Sequence, residues 1–264
     1  MYRLEREEFV KSPYIALWSL LGFQAGYINA FGFLACGRYV SHVTGFGTQI
    51  GIALGTRSIT FAIELLGFPI FFILGSFCGA IVTAARIERG LKPWFGFVTA
   101  SIPLLLLCLY VFGFLGWFGA FGEELLLARD FFLLFLLSFI CGTQNGCFAV
   151  MTKGQIRTTH LTGISTDIGT DLARLWFGNL DNKERGVTQR TNFSRIATFV
   201  FFAMGSIVSV HFSGRWGYSS LAIPLATSVV VFLAVRLISK VLDHRFSPNL
   251  DGVDASPNMI QLRS

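Results

Sequence analysis

Long apolar stretches without a charged residue dominate the chain. A helix needs roughly 20 apolar residues to cross the hydrocarbon core of a bilayer. Six stretches approach or exceed that length, and they cover residues 14–36, 65–85, 94–122, 131–152, 196–214 and 216–235. We therefore predict about six transmembrane helices. The last two are separated only by Arg215 and its neighbours, so we expect them to form a tight hairpin.

Two shorter segments, residues 39–56 and 160–178, are ambiguous. Both are rich in glycine and threonine and carry polar groups, so each could cross the membrane or dip into it. We expect two short broken or re-entrant half-helices here, because this topology gives the more consistent distribution of positive charge. The predicted fold is an all-α polytopic membrane protein.

The positions of Lys and Arg distinguish the two topologies. With re-entrant segments and a cytoplasmic N-terminus, every Lys and Arg lies inside except Arg38, Arg57, Arg129 and Arg215. If both segments span, the cationic residues from 86 to 157, apart from Arg129, move outside, against the positive-inside tendency. We therefore expect a multi-pass protein of the cytoplasmic membrane with both termini in the cytoplasm.

Composition supports the membrane interpretation. Hydrophobic residues make up 53% of the chain and charged residues 14%, against about 25% charged residues in soluble domains. The formal charge of +6 is explained by the excess of Lys and Arg on the cytoplasmic side, so it does not indicate nucleic-acid binding. We expect the lipid bilayer as a partner and no nucleic acid. We predict a single membrane domain over residues 1–264 that ends in a disordered polar tail, 247–264. Homo-oligomerisation stays open.

An internal repeat appears when the two ambiguous segments are aligned. Residues 42–51 and 160–169 share the pattern H-x-T-G-x-x-T-x-I-G, with six of ten positions identical. Ahead of it, Gly26 and Asn29 parallel Gly142 and Asn145, with two extra residues in the second copy. Two matches in the same order indicate a duplication.

The two copies are predicted to lie in opposite orientations. Each has one span, one half-helix and two further spans, over residues of about 12–122 and about 129–241. Because the first copy starts inside and the second outside, they would be inverted repeats, an architecture that recurs in transporters. Transporters of this kind bind solute near the midplane, where interrupted helices meet.

Four runs of residues carry a resemblance to a known family. They are G-Y-I-N-A-F-G-F-L-A-C-G from Gly26, S-H-V-T-G from Ser41, G-T-Q-N-G from Gly142 and R-T-T-H-L-T-G from Arg157. In these runs the chain resembles the YoaK-type small membrane proteins, the family labelled domain of unknown function 1275. The resemblance covers most of the chain and implies a polytopic membrane fold and the activity of a small permease.

Paired Thr-Gly steps mark the predicted start of each half-helix. We expect Thr44 and Thr162 to act as N-caps, followed by Gly45 and Gly163. The first amides of a helix lack intrahelical partners and carry the positive end of its dipole. Two such ends at one interface would form an anion or carboxylate site. Helix capping and close packing alone would require the same residues.

Further polar side chains could line the same site. Thr48, Ser165 and Thr166 would add hydroxyl donors. His42 and His160 occupy equivalent positions, which suits either proton coupling or interfacial hydrogen bonding, and two imidazoles without a third ligand do not make a metal site.

Four amide side chains fall in the first and fourth apolar stretches. Asn29, Asn145, Gln24 and Gln144 would line the cavity or bond one helix to another. Either role satisfies their hydrogen-bonding groups within the membrane.

Ionisable residues inside a membrane are candidates for function. Asp171 and Arg174 can pair at i, i+3, whereas Asp167 has no obvious partner unless Arg157 or His160 supplies one. The residues expected to couple protons or ions are Asp167 and, in an interfacial location, Glu64.

These features favour a small-solute secondary transporter or permease, with an anion as one candidate solute, that works by alternating access. The alternatives are an intramembrane enzyme and an accessory or sensor subunit. The sequence contains no GxSxG elbow, HExxH pair or Gly-rich phosphate loop, so we expect no enzymatic activity, no cofactor and no metal.

Overall fold

The computed structural model describes residues 6–123, 128–155 and 157–246, and every regular element in these ranges is helical. Side chains are described as far as residue 238. The helices are α1 Ser12–Cys36, α2 Val43–Gly55, α3 Ile59–Ile81, α4 Ala84–Glu88, α5 Phe95–Phe114, α6 Ala128–Met151, α7 Leu161–Phe177, α8 Asn182–Trp216 and α9 Ala222–Phe246. A 3-10 turn, Gly217–Leu221, joins α8 to α9.

The long helices match the predicted spans. Each of α1, α3, α5, α6, α8 and α9 coincides with one of the six apolar stretches. Among the described residues, five segments are long and apolar enough to cross a membrane, and the last of them, residues 182–238, contains α8 and most of α9. The chain is an all-α polytopic membrane protein. The tail predicted to be disordered, 247–264, lies outside the described residues.

The two predicted half-helices correspond to the short helices α2 and α7. α2 has 13 residues and α7 has 17. At 1.5 Å per residue they measure about 20 Å and about 26 Å, less than the roughly 30 Å hydrocarbon core of a bilayer. Both lie at their predicted positions, and each is shorter than this core is thick.

α1 and α6 are the central helices. In each, 67% of the apolar window is buried, compared with 22% for the segment Ile59–Glu88 and 33% for α5. The principal packing pairs are α1 against α8 and α3 against α6. The other long helices therefore present most of their apolar surface outward.

Glycines allow these helix pairs to approach closely at two corresponding crossings. A β-carbon at Gly26 of α1 would overlap the backbone of Phe202 in α8. At the second crossing, a β-carbon at Gly142 of α6 would overlap the backbone of Phe72 in α3. Small residues are the usual means of close helix association in membranes, where burial of apolar surface supplies no driving force.

Two of the helix ends that differ from the predicted spans have a clear local cause. α5 ends at Phe114 although the apolar stretch continues to residue 122, because the chain turns through Gly116 with φ at 74°. α8 begins at Asn182, well before the apolar stretch at 196. Its first turn is capped by Asp181, whose carboxylate accepts a 2.7 Å hydrogen bond from the Glu184 amide. The cap allows a polar extension of the helix that hydropathy cannot detect.

Candidate functional site

Asn29 of α1 fixes the start of the first half-helix. Its Oδ1 accepts hydrogen bonds from the amides of Val40 and Ser41, both at 3.1 Å, and from Ser41 Oγ at 3.0 Å. Asn29 lies two turns before the end of α1, so these bonds hold the returning loop against the helix. α2 consequently begins beside the body of α1.

Asn145 of α6 fixes the start of the second half-helix in a similar way. Its Nδ2 donates to Thr159 Oγ1, and its Oδ1 accepts from Thr158 Oγ1 at 3.3 Å. Thr159 stands immediately before His160, as Ser41 stands immediately before His42. Each half-helix is therefore tied to the preceding long helix by an asparagine and a hydroxyl residue.

Histidines, and not threonines, are the N-cap residues. α2 begins after His42 and α7 after His160, so the prediction that Thr44 and Thr162 act as N-caps is wrong; each is the second residue of its helix. The physical reason is that the asparagine bonds hold the bend or turn just before each histidine outside the helix. Neither histidine makes a side-chain capping bond.

A glycine lies beneath each histidine ring. A β-carbon at Gly45 or at Gly163 would lie 2.6 Å from Nδ1 of His42 or His160, respectively. Any larger residue would displace the ring. The glycine of each H-x-T-G motif therefore makes room for the imidazole at the helix start.

Both half-helix starts line a single cavity of about 780 Å³. The predicted site residues that it brings together are Asn29, His42, Thr44, Asn145, His160 and Thr162. Apolar groups of α3, α6 and α8, among them Phe72, Ile73 and Phe202, form the rest of the wall together with Ser76 and Arg157. The two motifs, which lie 118 positions apart in the sequence, thus meet at one place in the fold.

Gly45 and Gly163, which pack under the histidine rings, are not among the residues lining this cavity, and three further predicted substrate-site residues are not either. Thr48 Oγ1 donates to the Thr44 carbonyl at 3.4 Å, and Thr166 Oγ1 donates to the Thr162 carbonyl at 3.1 Å. Gln144 Nε2 donates to the Leu21 carbonyl at 3.1 Å and to a threonine hydroxyl at 2.8 Å. The threonines bond within their own helices, and Gln144 bonds helix to helix.

Asp167 has a partner that the sequence did not indicate. Its carboxylate lies 3.0 Å from Arg195 Nη2 in α8, so neither Arg157 nor His160 is the partner. Arg195 is 24 residues from Asp171, its other partner, and such a pairing has no local sequence signal. Asp167 is 47% exposed and lies outside the cavity lining.

Asp171 is the centre of an ion-pair cluster. Its side chain is only 8% exposed, and it lies within 2.8 to 3.1 Å of the guanidinium groups of Arg195, Arg6 and Arg174. The Arg174 contact confirms the predicted i, i+3 pair. Arg195, 4% exposed, also donates to Gln155 Oε1 at 3.2 Å. The cluster joins α7 to α8, to the N-terminal segment and to the loop after α6.

Glu64 lies in the first turns of α3 and is half-buried. It is not among the described residues that line the cavity. The structure therefore separates it from both half-helix starts.

Sequence reasoning missed several residues of the site. Ser41 and Thr159 could have been found by extending the repeat by one residue towards the N-terminus, to [ST]-H-x-T-G. Phe72 and Phe202 carry no motif, because their place in the wall depends on how α3 and α8 cross α6 and α1. The sequence offers Arg157 as a possible partner for Asp167, and no motif places it at the cavity.

Comparison with known proteins identifies the family of the chain. No curated protein and no solved structure matches the chain. A family match covers residues 17–234, a range that contains both half-helices and every residue of the cavity lining. The chain belongs to the family described as Protein of unknown function (DUF1275).

Proposed function

We propose that this protein is a small-solute secondary transporter or permease of the cytoplasmic membrane, with both termini in the cytoplasm. One observation carries the proposal: the N-terminal ends of α2 and α7 line the same cavity. Interrupted helices that meet at a cavity are the usual site construction in transporters built from repeats. Polar backbone at membrane depth is tolerated where it faces such a cavity.

Corresponding contacts in the two halves support inverted repeats as the transport machinery. Gly26 meets the Phe202 backbone where α1 crosses α8, and Gly142 meets the Phe72 backbone where α6 crosses α3. In the proposed cycle, one half-helix and its long-helix partner move relative to the other pair and open the cavity to each side in turn.

We propose no enzymatic role. The polar side chains on the cavity wall are two asparagines, two imidazoles, hydroxyls and one guanidinium. These groups are suited to holding a solute, and the sequence motifs of hydrolases and metalloproteases are absent from the chain.

Flux through the reconstituted protein tests the proposal. Proteoliposomes containing the full chain are assayed for uptake of a panel of small neutral, cationic and anionic solutes. Ala149→Phe places a large side chain in the cavity wall and should remove most of the flux. Ala203→Phe makes the same change at an exposed position of α8, away from the cavity wall, and should leave flux intact. Equal flux in the two variants would contradict the proposal.

Coupling by Asp167 and Glu64 stays a prediction. Asp167→Asn and Glu64→Gln should each uncouple flux from a pH gradient while downhill flux continues. A pH-gradient dependence unchanged in both variants would remove both residues from the mechanism.

A further inference from the structure

Arg157 is the one residue with a permanent charge among those that line the cavity in the described part of the chain. It lies in the loop between α6 and α7, two residues before the Thr159 that Asn145 anchors. No ion pair or hydrogen bond joins Arg157 to another residue within the described ranges. This distinguishes it from Arg195, which contacts two carboxylates.

Within the described part of the chain, no carboxylate pairs with Arg157. None of the described lining residues is Asp or Glu. The nearest acidic residues along the chain, Asp167 and Asp171 in α7, contact Arg195, and Asp171 also binds Arg6 and Arg174. Arg157 is exposed, so its guanidinium is accessible to a solute that enters the cavity.

The remaining wall suits the rest of a small anion. His42, His160, Thr44 and Thr162 place hydrogen-bonding groups near both half-helix starts, while Phe72 and Phe202 provide apolar surface. A guanidinium binds planar carboxylates and oxyanions through two parallel hydrogen bonds. A single fixed positive charge matches a single negative charge.

We infer that the solute is a small monovalent anion with a planar carboxylate or oxyanion group, and that Arg157 is its counter-charge. This inference rests on the proposed transport function and specifies its substrate class. Arg157 acts as a specificity-determining residue: it favours the anion over neutral molecules of equal size.

The test compares matched probes in proteoliposomes. Acetate and nitrate represent the monovalent class, acetamide is the neutral match of acetate, and sulfate is a divalent anion. Wild-type protein should move acetate or nitrate faster than acetamide and sulfate. Arg157→Gln should lower anion flux by about tenfold to a hundredfold, the loss expected for a charge-assisted hydrogen-bonded pair.

Two further variants separate charge from folding. Arg157→Lys keeps the charge and should retain part of the anion flux. Arg89→Gln removes an exposed arginine away from the cavity and should behave as wild type. In detergent, acetate should raise the melting temperature of wild-type protein more than acetamide does, and Arg157→Gln should lose this difference.

The possible failures are distinguishable. If wild-type protein moves acetamide as fast as acetate, or if Arg157→Gln keeps full anion flux, the inference is overturned while transport stands. If no probe crosses and none shifts the melting temperature of wild-type protein, the transport proposal itself fails.

Discussion

The half-helices α2 and α7 start alike and continue differently. Each begins after a histidine that packs over a glycine, beside an asparagine-anchored loop. Beyond that point, α2 is held by apolar contacts: Phe46 stacks on Phe68 of α3 with ring centroids 4.2 Å apart, and Ala53 is buried. α7 instead places Asp171 against three arginines.

This difference shows which part of the repeat is constrained by the site. The helix starts face one cavity, and each is held by an asparagine that bonds the hydroxyl residue just before the histidine. The rest of each half-helix needs only a stable attachment to a long helix, which either aromatic stacking or ion pairing can provide. We therefore expect high salt to loosen α7 more than α2, because salt screens ion pairs that reach the surface.

Arg195→Ala should produce the largest effect and should loosen α7 while leaving α2 unchanged. Removing one partner of a buried ion pair costs about 3–5 kcal/mol, and we expect the lower end because Arg6 and Arg174 still contact Asp171. Hydrogen exchange in detergent micelles should rise along α7 and stay unchanged in α2. Arg190→Ala, an exposed arginine on the same helix, is the control. Equal loosening of both half-helices would show that charge does not distinguish them.

Gly26→Ala and Gly142→Ala test whether the two close helix crossings, α1 with α8 and α6 with α3, are equivalent. Each adds a methyl group against backbone that cannot move aside, so each should cost about 1–3 kcal/mol or more. The free energy of unfolding in mixed micelles should fall by similar amounts in the two variants. A large loss in one variant and none in the other would argue against equivalent crossings.

Phe46→Leu is the counterpart of the arginine variant. It keeps an apolar side chain but removes the stack on Phe68, which is worth about 0.5–1.5 kcal/mol beyond burial. Exchange should rise in α2 while α7 stays protected. Protection of α2 equal to that of the wild type would show that the stack is not what holds this half-helix.

Gly51→Ala and Gly169→Ala should have the smallest effect, and it should be stabilising. These glycines lie at matching positions of α2 and α7, and a β-carbon at either meets no atom within 4 Å. Replacing a helical glycine by alanine gains about 0.5–1 kcal/mol. A rise in melting temperature for both variants would confirm open space on that face, whereas a fall would reveal an unrecognised contact.

Much of the fold was predictable from local sequence. The six long helices coincide with six apolar stretches, and the two half-helices with the two Gly/Thr-rich segments. Hydropathy did not predict where α8 begins, because its first turns are polar and are stabilised by the Asp181 cap. The candidate site was predicted in outline, because the repeated motif identified the two histidines and the two asparagines that line the cavity.

The sequence by itself determined the membrane class, the order of helices and the two matched interruptions, since these follow from composition and repetition along the chain. Only the tertiary structure decided which polar groups face the cavity. Thr48 and Thr166 bond within their own helices, Asp167 pairs with Arg195, and Arg157 lies on the cavity wall. The physical reason is that a helical side chain's surroundings depend on the neighbouring helices, and these crossings join residues far apart in sequence.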